Sequence, residues 1–273
     1  MSRINAKTQI AALIGNPVEH SLSPEMHNAA FEKLGINCKY VAFKVNNLGK
    51  AVAAISELNF LGLNVTMPFK AEIIPLLDKV DATAKKIGAV NTIAVKNGKL
   101  IGYNTDGVGA VASLKEKTKL KGKKAILIGA GGAGKSIAFM LKKEKAHLTI
   151  ADRNSGKARK LAKLIGCRYT SMETLSGLKP DILINATPMG MKPNEKKLPV
   201  PKEMLIKGLV VFDIVYDPVE TKLLKLAKKK GCKTINGIEM LINQGVESFG
   251  LWTGRKAPKE VMRKAVLNAL GKG

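Results

Sequence analysis

Residues 123–143, KKAILIGAGGAGKSIAFMLKK, constrain the fold more than any other stretch of the chain. A short run that is apolar throughout leads into a glycine-rich turn, and the turn opens a segment with helical apolar spacing. A strand without polar alternation is buried on both faces, so it belongs inside a sheet covered by helices. The turn itself satisfies two spacings at once. Gly129, Gly131 and Gly134 fit G-x-G-x-x-G, the dinucleotide fingerprint, while Gly129, Gly134, Lys135 and Ser136 fit G-x-x-x-x-G-K-[ST], the phosphate loop of ATP and GTP enzymes. Both place a helix N-terminus against phosphate, so the local context cannot separate them.

Residues further along bear on the choice. A phosphate-loop enzyme needs an acidic magnesium ligand at the end of an apolar strand, and LVVFD, ending at Asp213, offers one. A dinucleotide site needs an acidic residue, or a basic substitute, about 20 residues past the loop. In LTIADRNSGK, Asp152 ends the next strand 21 positions after Gly131, with Arg153 and Lys157 beside it. Asp152 suits a ribose 2′-OH, and Arg153 and Lys157 suit a 2′-phosphate. The loop region favours the dinucleotide. A P-loop ATPase or kinase stands as the alternative from another class.

The pattern around this unit is α/β throughout. Strand-length runs at 8–15, 39–45 and 60–66 alternate with helical patterns at 23–35 and 47–58. Ser23 reads as an N-cap, Pro24 as the first helical residue and Gly35 as the stop. Residues 92–104 read as a hairpin with Asn97-Gly98 at its turn. A second βα series follows from about Asp106, with strands in HLTIAD, DILINA and LVVFDIV, and two helices close the chain at 237–254 and 257–271. The strands are too many for one small sheet. Two α/β domains, each with a mainly parallel sheet and separated by a cleft, are the expected architecture.

Composition excludes several classes. The net charge of +25 comes from basic residues spread along the whole chain, and aromatics make up only 4% of it, which argues against nucleic-acid binding. A positive field draws small anionic ligands instead. Three scattered cysteines do not make a disulfide framework, and no CxxC or HExxH spacing marks a metal site. No run reaches membrane-spanning length and no signal peptide is evident, so a soluble, cytoplasmic protein is expected.

Seven motifs in order, GNPVEHSLSPEMHNAAF, LNVTMPFK, IGAVNTI, GYNTDGVG, NATPMGM, DIVYDP and GIEMLINQGVESFGLWTG, closely resemble the shikimate dehydrogenase family. The resemblance runs from about residue 10 to residue 255. It implies an N-terminal substrate-binding catalytic domain over 1–105 and a Rossmann NADP-binding domain over 106–237, with the helices of 238–273 returning to the first domain. It also implies reversible, NADPH-dependent reduction of 3-dehydroshikimate to shikimate, a step of chorismate and aromatic amino-acid biosynthesis. By the same resemblance, Ser21 and Ser23 bind the substrate carboxylate. Asn64, Thr66 and Asn91 hydrogen-bond ring hydroxyls, and Tyr216 and Gln244 are further substrate contacts. Lys70 and Asp106 match the catalytic pair. Gly129, Ala130, Gly131, Gly132 and Ala133 wrap the pyrophosphate, and Thr187, Ile214, Gly237 and Met240 match positions at the nicotinamide end. The family occurs as monomers and homodimers.

One stretch departs from the family pattern. NADP-using members carry Asn-Arg-Thr where this chain has Asp152, Arg153 and Asn154. The arginine keeps a 2′-phosphate site, whereas the aspartate resembles NAD-preferring quinate/shikimate relatives. NADP is the expected cofactor, with NAD as a second one, and an NAD-preferring quinate/shikimate dehydrogenase is the alternative within the family.

Overall fold

The structure, a computed structural model, describes residues 4–58 and 60–271. It divides into two compact units. One comprises the described residues up to Thr105 together with those from Ile242 onward, and the other comprises Asp106–Leu241.

The first unit begins with β1 (Gln9–Gly15), α1 (Ser23–Lys33), β2 (Cys38–Lys44), α2 (Leu48–Glu57) and β3 (Gly62–Val65). Helical crossovers make β1 parallel to β2 on one side and to β3 on the other. Then come β4 (Lys79–Val80), α3 (Ala82–Ile87), β5 (Thr92–Lys96) and β6 (Lys99–Tyr103). Here β5 runs antiparallel to both β3 and β6, and the order across the mixed sheet is β2-β1-β3-β5-β6-β4. The reversal is local chemistry. Asn97 and Gly98 both have positive φ, 52° and 73°, the pair of left-handed residues that a type I′ hairpin turn requires. Ala12, Ile14, Leu63, Val65 and Ile93 from the sheet pack with Val52 and Ile55 of α2 to form the core.

The start of α1 differs from the sequence expectation. Leu22 is the N-cap, Ser23 is already helical, and no side chain caps the helix. The Ser23 backbone N–H instead donates to the Ser21 hydroxyl at 3.3 Å. Gly35 does end the helix, at φ 61°.

The second unit runs through α4 (Asp106–Lys115), β7 (Lys124–Ile128), α5 (Gly132–Lys143), β8 (His147–Ala151), α6 (Ser155–Ile165), β9 (Arg168–Thr170), β10 (Ile182–Asn185), β11 (Val210–Asp213), α7 (Lys222–Lys229) and β12 (Lys233–Ile235). Every strand pair is parallel. The order β12-β11-β10-β7-β8-β9 is the doubly wound arrangement of a Rossmann sheet, in which direction reverses between β7 and β10. The apolar strands are explained by their two faces. Ala125 and Leu127 of β7, Ile182 and Ile184 of β10, and Phe212 of β11 face one core, while Ile126, Ile128, Leu183 and Val211 face the other.

The chain closes with α8 (Gly237–Thr253) and α9 (Lys259–Ala269). Helix α9 packs against α1. Near the end of α8, the Trp252 indole N–H donates to Ile93 O at 2.9 Å, and Gly62 has no side chain to obstruct the ring. No helix among the described residues is long and apolar enough to cross a membrane.

Candidate functional site

The expected substrate residues of the first unit share one edge of its sheet. Ser21 and Ser23 follow the C-terminal end of β1, Asn64 lies in β3, and Thr66 and Lys70 follow β3. Asn91 precedes β5, which runs the other way and therefore starts at that same edge. The Thr66 N–H donates to Ile14 O at 2.9 Å and the Val90 N–H donates to Lys70 O at 2.7 Å, so backbone bonds fix the segment between them at both ends. Thr105, past the end of β6, is the last residue of this unit's first segment, and Asp106 opens α4 in the next unit.

A buried polar network underlies this edge. The Tyr40 hydroxyl donates to Asn64 Oδ1 at 2.8 Å. That bond sets the amide, so Asn64 Nδ2 faces Asn91 O at 3.2 Å and the hydroxyls of Thr92 and Ser248 at 3.1 Å each. Asn91 Nδ2 donates to Thr105 Oγ1 at 2.9 Å, and its Oδ1 accepts from the Thr105 N–H at 2.7 Å. Gln244 of α8 joins through its Oε1, which accepts from Thr105 Oγ1 at 3.4 Å. The structure thus brings Asn64, Asn91 and Gln244 together, and Asn64 is engaged from inside on both ends of its amide. Tyr40, Thr92, Thr105 and Ser248 belong to the same network and were not expected from sequence. Ser and Thr carry no local signal that separates a buried hydroxyl from an exposed one. Burial pushes the Tyr40 phenol well up, so it stays a neutral donor.

The expected cofactor residues of the second unit, and the expected substrate contact Tyr216, lie just beyond strand C-termini, where open parallel sheets bind ligands. The glycine loop follows β7, Asp152, Arg153, Asn154 and Lys157 follow β8, Thr187 follows β10, Ile214 and Tyr216 follow β11, and Gly237 follows β12. Gly129 has φ 109°, and a Cβ on Gly134 would collide with the Gly129 carbonyl. This close helix–strand packing is the duty of the third glycine in the dinucleotide fingerprint. Around Gly131 and Gly132 nothing lies within 4 Å of where a Cβ would stand, which leaves room for a pyrophosphate at the start of α5.

The same geometry removes the phosphate-loop alternative. Helix α5 starts at Gly132, so Lys135 and Ser136 are its fourth and fifth residues, and the Lys135 N–H already donates to Gly131 O at 2.9 Å instead of facing a phosphate. The buried Ser136 hydroxyl donates to Gly132 O at 3.1 Å instead of standing ready for magnesium. Asp213 is fully buried and accepts only neutral hydrogen bonds, from Asn185 Nδ2, the Val215 N–H and Thr221 Oγ1.

Asp152 is turned inward. One carboxylate oxygen accepts from the Ala130 N–H and the other from the Asn154 N–H, each at 2.8 Å. Asn154 caps α6, and Arg153 and Lys157 stand exposed beside it. Burial, and next the charge of Asp217, pushes the Tyr216 phenol upward. Gly237 lies against Ile214 so closely that a Cβ would overlap the Ile214 carbonyl. Met240 and Ile214 pack in the apolar core on one face of the sheet. The Thr187 hydroxyl donates to Asn185 Oδ1 at 2.6 Å and accepts from the Met189 N–H at 3.2 Å.

Known proteins resemble the chain over nearly its full length. Residues 13–93 match the family described as shikimate dehydrogenase substrate binding domain, residues 111–226 the shikimate / quinate 5-dehydrogenase family, and residues 237–267 the shikimate 5'-dehydrogenase C-terminal domain. A shikimate dehydrogenase (NADP(+)) of Pyrococcus furiosus is 48% identical over 267 residues, covering 97% of each chain. A crystal structure of a shikimate dehydrogenase in complex with NADP+ superposes with a TM-score of 0.94 at 46% identity, covering 98% of each chain. That of shikimate 5-dehydrogenase from Thermus thermophilus, with NADP(H) and shikimate, gives 0.90 at 36% identity over 96% of this chain and 100% of that one.

Proposed function

The chain belongs to the shikimate dehydrogenase family, and we propose that it interconverts 3-dehydroshikimate and shikimate with NADP, using Lys70 and Asp106 as its acid–base pair. The observation that carries the reading is the separation of duties between strand edges. Hydroxyl and amide donors gather over a buried polar network at one edge of the mixed sheet, and the glycine loop opens beyond the parallel strands of the other unit.

Each group has a task that its chemistry suits. Ser21 and Ser23, two positions apart, donate to the substrate carboxylate. Asn64, Thr66 and Asn91 recognise ring hydroxyls, and Tyr216 and Gln244 complete the recognition. Gly129, Ala130, Gly131, Gly132 and Ala133 hold the pyrophosphate, and Arg153, Asn154 and Lys157 hold the 2′-phosphate. The nicotinamide of NADPH, when bound, supplies the hydride. As the ketone oxygen gains negative charge, the Lys70 ammonium stabilises it and hands over a proton. In the reverse direction the neutral amine takes the proton back. Asp106 orients the ammonium.

Absorbance-monitored turnover, with shikimate and quinate each crossed with NADP and NAD, tests the reading. Rapid turnover confined to shikimate with NADP is expected. Equal turnover with quinate and NAD would move the chain to the quinate branch, and no turnover with any pair would overturn the reading.

A further inference from the structure

Asp213 ends β11 with no exposed surface, and each hydrogen bond it accepts comes from a different segment. Its Oδ1 accepts from Asn185 Nδ2 at 2.9 Å and from the Val215 N–H at 3.2 Å, and its Oδ2 accepts from Thr221 Oγ1 at 2.7 Å. Asn185 in turn holds the loop after β10. Its Oδ1 accepts from the Thr187 N–H at 3.1 Å and from Thr187 Oγ1 at 2.6 Å, and its Nδ2 also donates to Met189 O at 3.0 Å. Val215 lies between Ile214 and Tyr216. Thr221 is the N-cap of α7, accepting from the Leu224 N–H at 3.3 Å. One carboxylate therefore ties together the Thr187 loop, the Ile214–Tyr216 segment and the start of α7.

We propose that Asp213 is a positioning residue that sets the two loops at the nicotinamide end of the cofactor site. The proposal rests on the functional reading above. All three of its partners donate, so the site matches a carboxylate and mismatches an amide, whose N–H₂ would face another donor. None of these partners is charged. Burial pushes the carboxyl up to about 6, while the bonds from Thr221, Val215 and Asn185 pull the other way. Thr187 is reached from Asp213 through Asn185, and Ile214 has in addition a backbone bond of its own, its N–H donating to Asn185 O at 3.1 Å.

The test compares Asp213→Asn, Thr221→Val and Thr221→Ser with the wild-type enzyme. Three quantities are measured: KM for NADP and kcat, both with shikimate as substrate, and the Kd of adenosine 2′,5′-bisphosphate, which probes only the adenosine end. Asp213→Asn and Thr221→Val should raise the NADP KM about tenfold or more and lower kcat, and leave the bisphosphate Kd within about twofold. Thr221→Ser, which keeps the hydroxyl, should restore wild-type values. NADP KM and kcat unchanged in both variants would overturn the proposal, and so would bisphosphate affinity falling in step with NADP affinity. If Asp213→Asn does not fold, Thr221→Val decides by the same criteria. Wild-type enzyme that fails to turn over shikimate with NADP would refute the functional reading itself, a result separable from active wild type with unaffected variants.

Discussion

His27 should make the stability of the first unit depend on pH in a way that one substitution removes. The imidazole is fully buried, stacked on Tyr40 at 4.6 Å between ring centroids and tilted against Trp252 at 5.0 Å. Neither ring nitrogen has a hydrogen-bond partner, and burial pushes the pKa from its usual 6.5 down to about 3. Between those values the unfolded chain holds a proton that the folded chain refuses. Unfolding free energy must therefore fall as pH drops below 6.5, by about 1.4 kcal/mol per pH unit. The loss is about 2 kcal/mol at pH 5 and about 5 kcal/mol near pH 3. Asp213 acts in the opposite sense. Its folded pKa of about 6 lies above the usual 3.8, so its contribution improves as pH falls through that window. The wild-type profile alone mixes the two, whereas the difference from His27→Phe isolates the histidine. Trp252 is the single tryptophan and lies against His27, so its fluorescence in urea titrations reports on this unit. The wild-type minus variant stability should fall by about 2 kcal/mol between pH 7 and pH 5. An imperfect fit of the larger ring shifts the variant's curve without changing its slope, and His27→Leu gives a second slope. Parallel curves for wild type and both variants would refute the reasoning.

Lys70→Ala should lower kcat at least about a hundredfold with a modest change in shikimate KM, and adding Asp106→Asn should cost far less than the product of the single effects. Steady-state kinetics on the four proteins checks both statements. Arg153→Ala should weaken NADP about tenfold in competition binding and leave NAD unchanged, since the lost group answers only to the 2′-phosphate. Asp152→Asn should weaken both dinucleotides alike, because it exchanges one of two backbone-accepting oxygens for a donor; a clean reversal of preference would contradict that geometry. Tyr40→Phe strips a buried Asn64 Oδ1 of its donor, at about 1–3 kcal/mol in urea unfolding, and should raise the shikimate KM without moving that for NADP.

Much of the second unit was legible because its strands are buried on both faces. AILI in β7 and VVFD in β11 have no other stable place than a covered sheet. The Asn97-Gly98 turn was legible because few residue pairs tolerate two positive φ values. The strands β4, β9 and β12 were not, since two or three residues containing lysine or arginine carry no period. The glycine loop could not choose its own ligand; the start of α5 at Gly132 and the strand order chose for it. The support beneath the substrate edge was the least visible part. Thr92 and Ser248 meet at 2.9 Å across 156 positions of sequence, and no local rule connects two hydroxyls so far apart. Ser23 falls one position inside α1 instead of capping it, a shift that local patterns do not resolve at a helix end.

The double engagement of Asp152 has a consequence for how such an enzyme can change. A single side chain braces the glycine loop, which we propose cradles the pyrophosphate, and the turn after β8. Altering it to retune discrimination disturbs the cradle as well, so a mutational path through this position passes through an intermediate poor with either dinucleotide. The neighbours Arg153 and Lys157 are exposed and carry no such second duty in the fold. Variation at those two positions can move preference in small viable steps, and this makes the basic pair, rather than the acid between them and the loop, the part of the site open to drift.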